Sequence, residues 1–181
     1  MGKIFSNLEV KYKEYGKLSE DDKDFINELL KAVNPSEKLE GREPIKNNFW
    51  YLSWDQIEII RAEIRDNSIE KVIEMIYNLQ EYEIQEVKVI SLISSFKWVV
   101  EQIEKIAEVE KHEAGESKAT AKEIAAGIEN FQKFSFYNSL HALTNGDPLK
   151  EDAVMQLPYW QIFRNLNMRS MKKEFETNLN K

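Results

Sequence analysis

The 181-residue sequence has no cysteine, which excludes disulfides, thiolate nucleophiles and Cys-ligated zinc or iron–sulfur centres. It has only two histidines, His112 and His141. Neither G-x-G-x-x-G nor G-x-x-x-x-G-K-[ST] occurs, so there is no glycine-rich phosphate loop, and no G-x-S-x-G elbow is present. No apolar run approaches the ~20 residues of a membrane span. "MGKIFSNLEVKYKEYG" lacks a long apolar stretch and is not expected to act as a secretory signal. Met1-Gly2 with Ser6 fits the loose N-myristoylation pattern M-G-x-x-x-[ST], but an ordinary chain start is the expectation.

Charge is present but unevenly placed. The net value is −7, and residues 51–110 carry thirteen acidic against six basic side chains while both flanks are nearly neutral. An acidic middle argues against general nucleic-acid affinity, which needs a basic face for counterion release. Near the C-terminus Arg164, Arg169, Lys172, Lys173 and Lys181 outnumber Glu174 and Glu176, a bias that suits the negative end of a helix dipole.

What is abundant is helical pattern. "NLEVKYKEY" first alternates Leu8, Val10 and Tyr12 with polar residues, the period of a half-buried strand. A lone strand needs a partner, and "PIKNNFWYL" (Pro44 to Leu52) offers one, a neighbouring subunit another. Ser19 with Asp22 then resembles a capping box before the stripe Phe25, Ile26, Leu29, Leu30, Val33, which stops at Asn34-Pro35. Ser53 and Gln56 make a second box, with Trp54, Ile57, Ile60 and Ile64 inward and Leu52 stapled on Ile57. Asn67 with Glu70 opens a helix burying Ile69, Val72, Ile73 and Ile76.

The longest helix is expected from about Glu83 to Lys111, through Ile84, Val87, Ile90 (or Ser91), Ser94, Trp98, Ile103 and Ile106. "KHEAGESKATAK" reads as a linker. Beyond it, Thr120 and Glu123 cap a helix weakened by Gly127, and "FQKFSFYNSLHAL" forms another that stops at Asn145-Gly146. Asp147-Pro148 and Leu157-Pro158 each open a further helix. The expectation is a mainly α, bundle-like fold of seven or eight helices with a short N-terminal β element. Its segments are 1–52 (strand, helix, loop), 53–112 (helical core), 113–120 (linker) and 121–181 (C-terminal lobe), or one domain overall.

Catalytic chemistry is hard to find. Glu104, Glu108 and His112 share a helix face, but position 109 is Val109. The Glu-x-x-His turn that helical metal sites use is therefore missing, and a solvated face is expected. His141, among Phe134, Phe136, Tyr137 and Leu140, is expected to be partly buried with a backbone partner. Paired carboxylates lie on charged faces without the unequal environments that acid–base catalysis requires. The expectation is a protein without enzymatic activity, cofactor or metal.

The four tryptophans carry the remaining signal. Trp54 and Trp98 sit in apolar stripes and read as core, whereas Trp50 and Trp160 suit core or interface equally. In "LPYWQIFRNLNM" and beyond, Tyr159, Ile162, Phe163, Leu166, then Met171 and Phe175 fall on related faces, with Ile162, Phe163 and Leu166 as the inward stripe. Trp160 lies about 200° around the helix from Ile162, so the two cannot face the same way. Trp50, Tyr159, Trp160 and Arg164 are the candidate partner-binding residues.

"SWDQIEIIRAEI…VIEMIY", "FKWVVEQIEKIAEVE" and "LPYWQIFRNLNMRSMKKEFE" together resemble small acidic helical proteins of tailed bacteriophages, including tail assembly chaperones and minor virion proteins. The resemblance covers about residues 50–181 and carries over no functional residue. It implies a non-enzymatic protein, in the virion or in the host cytoplasm during assembly. Its implied partners are capsid, portal or tail proteins and itself, with neither sequence-specific nucleic-acid binding nor a membrane. The alternative from the residues is an acidic regulatory or inhibitor protein that binds a basic partner.

Overall fold

The computed structural model describes residues 10–114 and 135–179. Among them nine α-helices follow in order: α1 (Tyr12–Tyr15), α2 (Glu20–Lys31), α3 (Trp54–Arg65), α4 (Ile69–Tyr77), α5 (Glu81–Ile84), α6 (Val89–Ala114), α7 (Ser135–Thr144), α8 (Glu151–Met155) and α9 (Tyr159–Leu179). Two 3₁₀ turns, Phe49–Tyr51 and Pro148–Lys150, complete the described elements. The fold is mainly α, as the recurring caps and stripes imply. It divides into two compact units, Met1–Phe49 with Ile59–Glu104, and Trp50–Glu58 with Lys105–Lys181. The sequence-based segments 1–52, 53–112 and 121–181 cut the chain elsewhere. Both α3 and α6 run from one unit into the other, and an unbroken helix carries no compositional mark at such a point.

In the first unit Ser19 caps α2, its hydroxyl accepting the Asp22 N–H at 3.2 Å. Ile26 and Leu30 are buried with Val89, while Val10, Tyr12, Leu18, Val33 and Ile93 pack around them. Phe25, assigned to the same stripe from sequence, is exposed instead. The C-terminal end of α2 meets the ammonium of Lys97 on α6, which donates to the carbonyls of Leu30 (2.8 Å), Lys31 (3.1 Å) and Val33 (2.9 Å). A cation thus satisfies acceptors that a helix end leaves open and opposes the negative end of the dipole.

On α4, Val72, Ile73 and Ile76 are buried. Tyr77 closes that face, its hydroxyl donating to Glu37 O at 2.7 Å, and burial pushes the phenol up to about 12. The helix starts one residue later than expected. Ser68 takes the N-cap position without a side-chain bond, while Asn67 has φ +54°, a left-handed conformation that asparagine tolerates.

The expected N-terminal β element is not shown. Among the described residues no strand exists, and the expected one reduces to a single antiparallel bridge, Lys11 with Lys88. It is flanked by Val89 N–H to Val10 O and Tyr12 N–H to Val87 O, both 2.8 Å. Tyr12 then enters α1, and Leu8 lies outside the described residues. The partner is not Pro44–Leu52, where Ile45 N–H donates to Ile76 O at 2.8 Å. It is the junction at Gln85–Lys88, where the expected long helix breaks into α5 and α6. The carbonyls of Gln85 and Val87 there accept from Lys13 and Tyr12 rather than from helical neighbours. Glu86 at this junction pairs with Lys11 at 2.6 Å and with Lys13.

In the second unit α7 ends at Asn145 and Gly146, both with positive φ. Gly146 N–H returns to His141 O at 2.9 Å, and Asp147 caps the next turn through Leu149 N–H at 3.1 Å. His141 is exposed rather than partly buried, its ring lying against Gly146, where a Cβ would sit 2.9 Å from Cε1. Glu113 and Ala114 of the expected linker are the last residues of α6. The rest of that linker, and the Thr120, Glu123 and Gly127 helix, lie outside the described residues.

Trp98 is buried in α6 and meets Phe49 edge-on, ring centroids 5.4 Å apart. Trp98→Ala should therefore lower the unfolding free energy by about 3–5 kcal/mol; a denaturant midpoint equal to the parent's would place it outside the core. The second expected outcome concerns acid. The two ammonium groups hold the Glu86 carboxyl down from 4.5 to about 2, so its contribution is complete above 4.5 and lost as pH falls through about 2. Glu86→Gln should lower the melting temperature slightly at pH 6 and leave it unchanged at pH 2, and a difference of equal size at both pH values would contradict the pairing.

Candidate protein-binding face

Within the second unit, two chain entries are joined by backbone. Trp54 N–H donates to Leu157 O at 3.0 Å and Tyr159 N–H to Leu52 O at 2.8 Å, forming an antiparallel bridge between Ser53 and Pro158. Pro158 lacks an N–H, so it suits the position just ahead of the helix. The Ser53–Gln56 capping box forms as expected, Ser53 N–H to Gln56 Oε1 at 3.0 Å and Gln56 N–H to Ser53 Oγ at 3.2 Å. Leu52, Trp54 and Ile57 are buried beside it, and Trp54 lies 5.0 Å from Phe136.

These bonds hold the first residue of α9 and so fix which way the helix faces. Tyr159 is buried, and its hydroxyl donates to Glu110. Ile162 is almost wholly enclosed. Phe163 tilts against the Trp50 ring at 5.2 Å, and Trp50 also stacks on Tyr159 at 5.7 Å and 26°. Two of the four expected partner-binding residues are therefore engaged within the unit. Tyr159 is buried, and Trp50 is half-buried over Tyr159 and Phe163. The sequence signal at Trp50 was even because a ring can serve either purpose; only the position of Tyr159 decides it.

Trp160 and Arg164 face elsewhere. The Arg164 guanidinium carbon lies 5.1 Å from the centre of the Trp160 ring, a cation–π pair one helical turn apart. At about 100° per residue, this side of α9 continues through Met168, Met171, Phe175 and Leu179, all of them exposed. The sequence reading had grouped Met171 and Phe175 with Ile162. They lie on the Trp160 side instead: Met171 is nine residues from Ile162, about half a turn out of phase. At the same spacing Trp160, Met168, Met171, Phe175 and Leu179 all fall within about 100° of one another around α9.

Other concavities offer less chemistry. A cavity of about 330 Å³ is lined by Val33, Pro35, Phe96, Lys97, Val100 and Glu101, but its lysine already serves three carbonyls. An open cleft of about 580 Å³ includes Glu70, Glu74 and Glu81. There Glu70 accepts the Tyr12 hydroxyl, and Lys71 pairs with Glu63 at 3.3 Å. Glu104 and Glu108 are exposed, and His112 stands in solvent 3.6 Å from Glu113. Among the described residues no three His, Asp or Glu side chains are placed to hold a metal ion, and no helix is long and apolar enough to cross a membrane. No protein-family model, curated protein or solved structure matches the chain.

The two sides of α9 should respond differently to truncation. Phe163→Ala removes a ring from under Trp50 and should destabilise by roughly 2–4 kcal/mol. Trp160→Ala loses one cation–π contact, about 1 kcal/mol at most. Thermal melts with the opposite ranking would reverse the assignment of the faces.

Proposed function

We propose that this chain is a non-enzymatic structural or assembly protein of a tailed bacteriophage that binds other virion proteins through α9. The observation that carries the reading is the exposed apolar stripe Met168, Met171, Phe175 and Leu179, which continues the side of the half-buried Trp160 on a helix whose first turns are packed through Tyr159 and Ile162. A Trp–Arg pair beside exposed methionine and phenylalanine is the composition that protein interfaces concentrate. The largest exposed apolar patch on a soluble monomer, typically a few hundred Å², is often functional. The phage context rests on the helical pattern of residues 50–181, and among the described residues no convergent catalytic constellation lines the cavities, which supports a binding role. The open cleft with Glu70, Glu74 and Glu81 favours a second reading, an acidic protein that occupies a basic partner.

Co-expression with individual capsid, portal and tail proteins of the same genome separates the two. The assembly reading expects one of them to co-purify with the parent chain and to be lost with Trp160→Ala at unchanged melting temperature. Binding indifferent to Trp160 but abolished by DNA competition and by high salt would favour the acidic-partner reading.

A further inference from the structure

Resting on the reading of α9 as a binding helix, we infer that Met168–Leu179 is a self-association element that pairs antiparallel with the same segment of a second copy of this chain. All twelve residues from Met168 to Leu179 are exposed. A helical segment of three turns without a packed face is marginal in water, so its stability calls for a partner surface. The side chains that would meet one are Met168 (61% exposed), Met171 (60%), Phe175 (63%) and Leu179 (69%).

The spacing and the charges select the occupant. Arg164, Met168, Met171 and Phe175 recur at intervals of four, three and four, an average of about 3.7 residues that keeps them on one side of the helix along its length. The edge of the stripe carries no strong excess of one sign. Lys172 pairs within the helix with Glu176 at 3.8 Å, Glu174 offsets Lys173, and Arg164 is turned onto Trp160. Arg169 points away, to Ala142 O and Asn145 Oδ1 on α7. A face close to neutral suits a like-with-like contact better than a strongly charged partner.

The area is sufficient. The four side chains leave on the order of 400–500 Å² uncovered, so two copies bring together roughly 800–1,000 Å² of mainly apolar surface. With the polar flanks this reaches the lower end of the ~1,200–2,000 Å² of stable complexes. Direction follows from Arg164. A parallel pair stacks it on its own copy, whereas an antiparallel pair separates the two guanidinium groups and sets Phe175 against Met171 of the second copy, a sulfur–aromatic contact.

Sedimentation equilibrium of the full chain tests this. The parent should dimerise at tens of micromolar, and Met171→Glu with Phe175→Glu should leave a folded monomer with the circular dichroism of the dilute, dissociated parent, because both positions are exposed. If that double variant unfolds, Met168→Glu alone should still raise the dimer dissociation constant at least tenfold. A parent that stays monomeric, or a dimer that survives the folded double variant or, in its place, folded Met168→Glu, would overturn the inference. Orientation is read by oxidative cross-linking, which the cysteine-free chain allows. A mixture of Met171→Cys and Phe175→Cys chains should cross-link faster than either alone; faster cross-linking of either alone would overturn the antiparallel arrangement. A monomeric parent that still binds a virion protein through Trp160 would remove this inference and keep the assembly reading. A dimer that binds none of them would do the reverse.

Discussion

The Tyr159 N–H bond to Leu52 O and the Trp54 N–H bond to Leu157 O anchor the last helix at its first residue. A helix is rigid in phase: once one residue is fixed, every later side chain points about 100° further round. With Tyr159 turned to Glu110 and Ile162 enclosed, Phe163 has to lie beneath Trp50, and Trp160 and Arg164 have to face away. The same anchor, twenty residues upstream of the helix end, sets the direction in which Met168, Met171, Phe175 and Leu179 point, although every residue from Met168 to Leu179 is exposed. What the protein can present to another molecule is thus set by a short backbone pairing in its interior.

A related device recurs in both units. Lys97 closes the carbonyl end of α2, and Arg169 reaches Ala142 O and Asn145 Oδ1 at the end of α7. In each case a cation from a different helix supplies donors that the terminating helix cannot find within itself. Such contacts couple one helix end to another element without the large apolar area that short helices such as α1, α5 and α8 cannot provide. They also occupy basic side chains that a reading of composition alone would count as free surface charge. The Glu86 pairing with Lys11 and Lys13 works on the same principle between exposed groups, where screening keeps the contribution modest.

Local chemistry made much of the fold legible. The Ser19 and Ser53 caps, the Asn145-Gly146 stop, the Asp147 cap and the buried stripe of α4 each depend on residues within four positions of one another. The errors lie where distant segments compete. The Leu8–Val10–Tyr12 alternation suggested a strand, yet Tyr12 is drawn into a helical turn while its N–H bonds Val87 O. The stretch expected as one long helix gives up continuity at Gln85–Lys88 to receive that chain. His141 looked enclosed from its aromatic neighbours in sequence, but α7 turns Phe136 toward Trp54, leaves Tyr137 exposed and sets the imidazole on Gly146.

By itself the sequence determined helix positions, the exclusion of cysteine chemistry and of phosphate loops, and the existence of two apolar directions on α9, because these follow from residue type and short-range geometry. The tertiary structure decided which direction is core: Tyr159 went in and Met171 and Phe175 stayed out. It also chose Gln85–Lys88 as the partner of the N-terminal segment and divided α3 and α6 between two units. Those outcomes depend on which surfaces meet across tens of residues, and burial of a given ring is equally favourable against any well-shaped neighbour. Periodicity names the faces of a helix; only a packed partner assigns them.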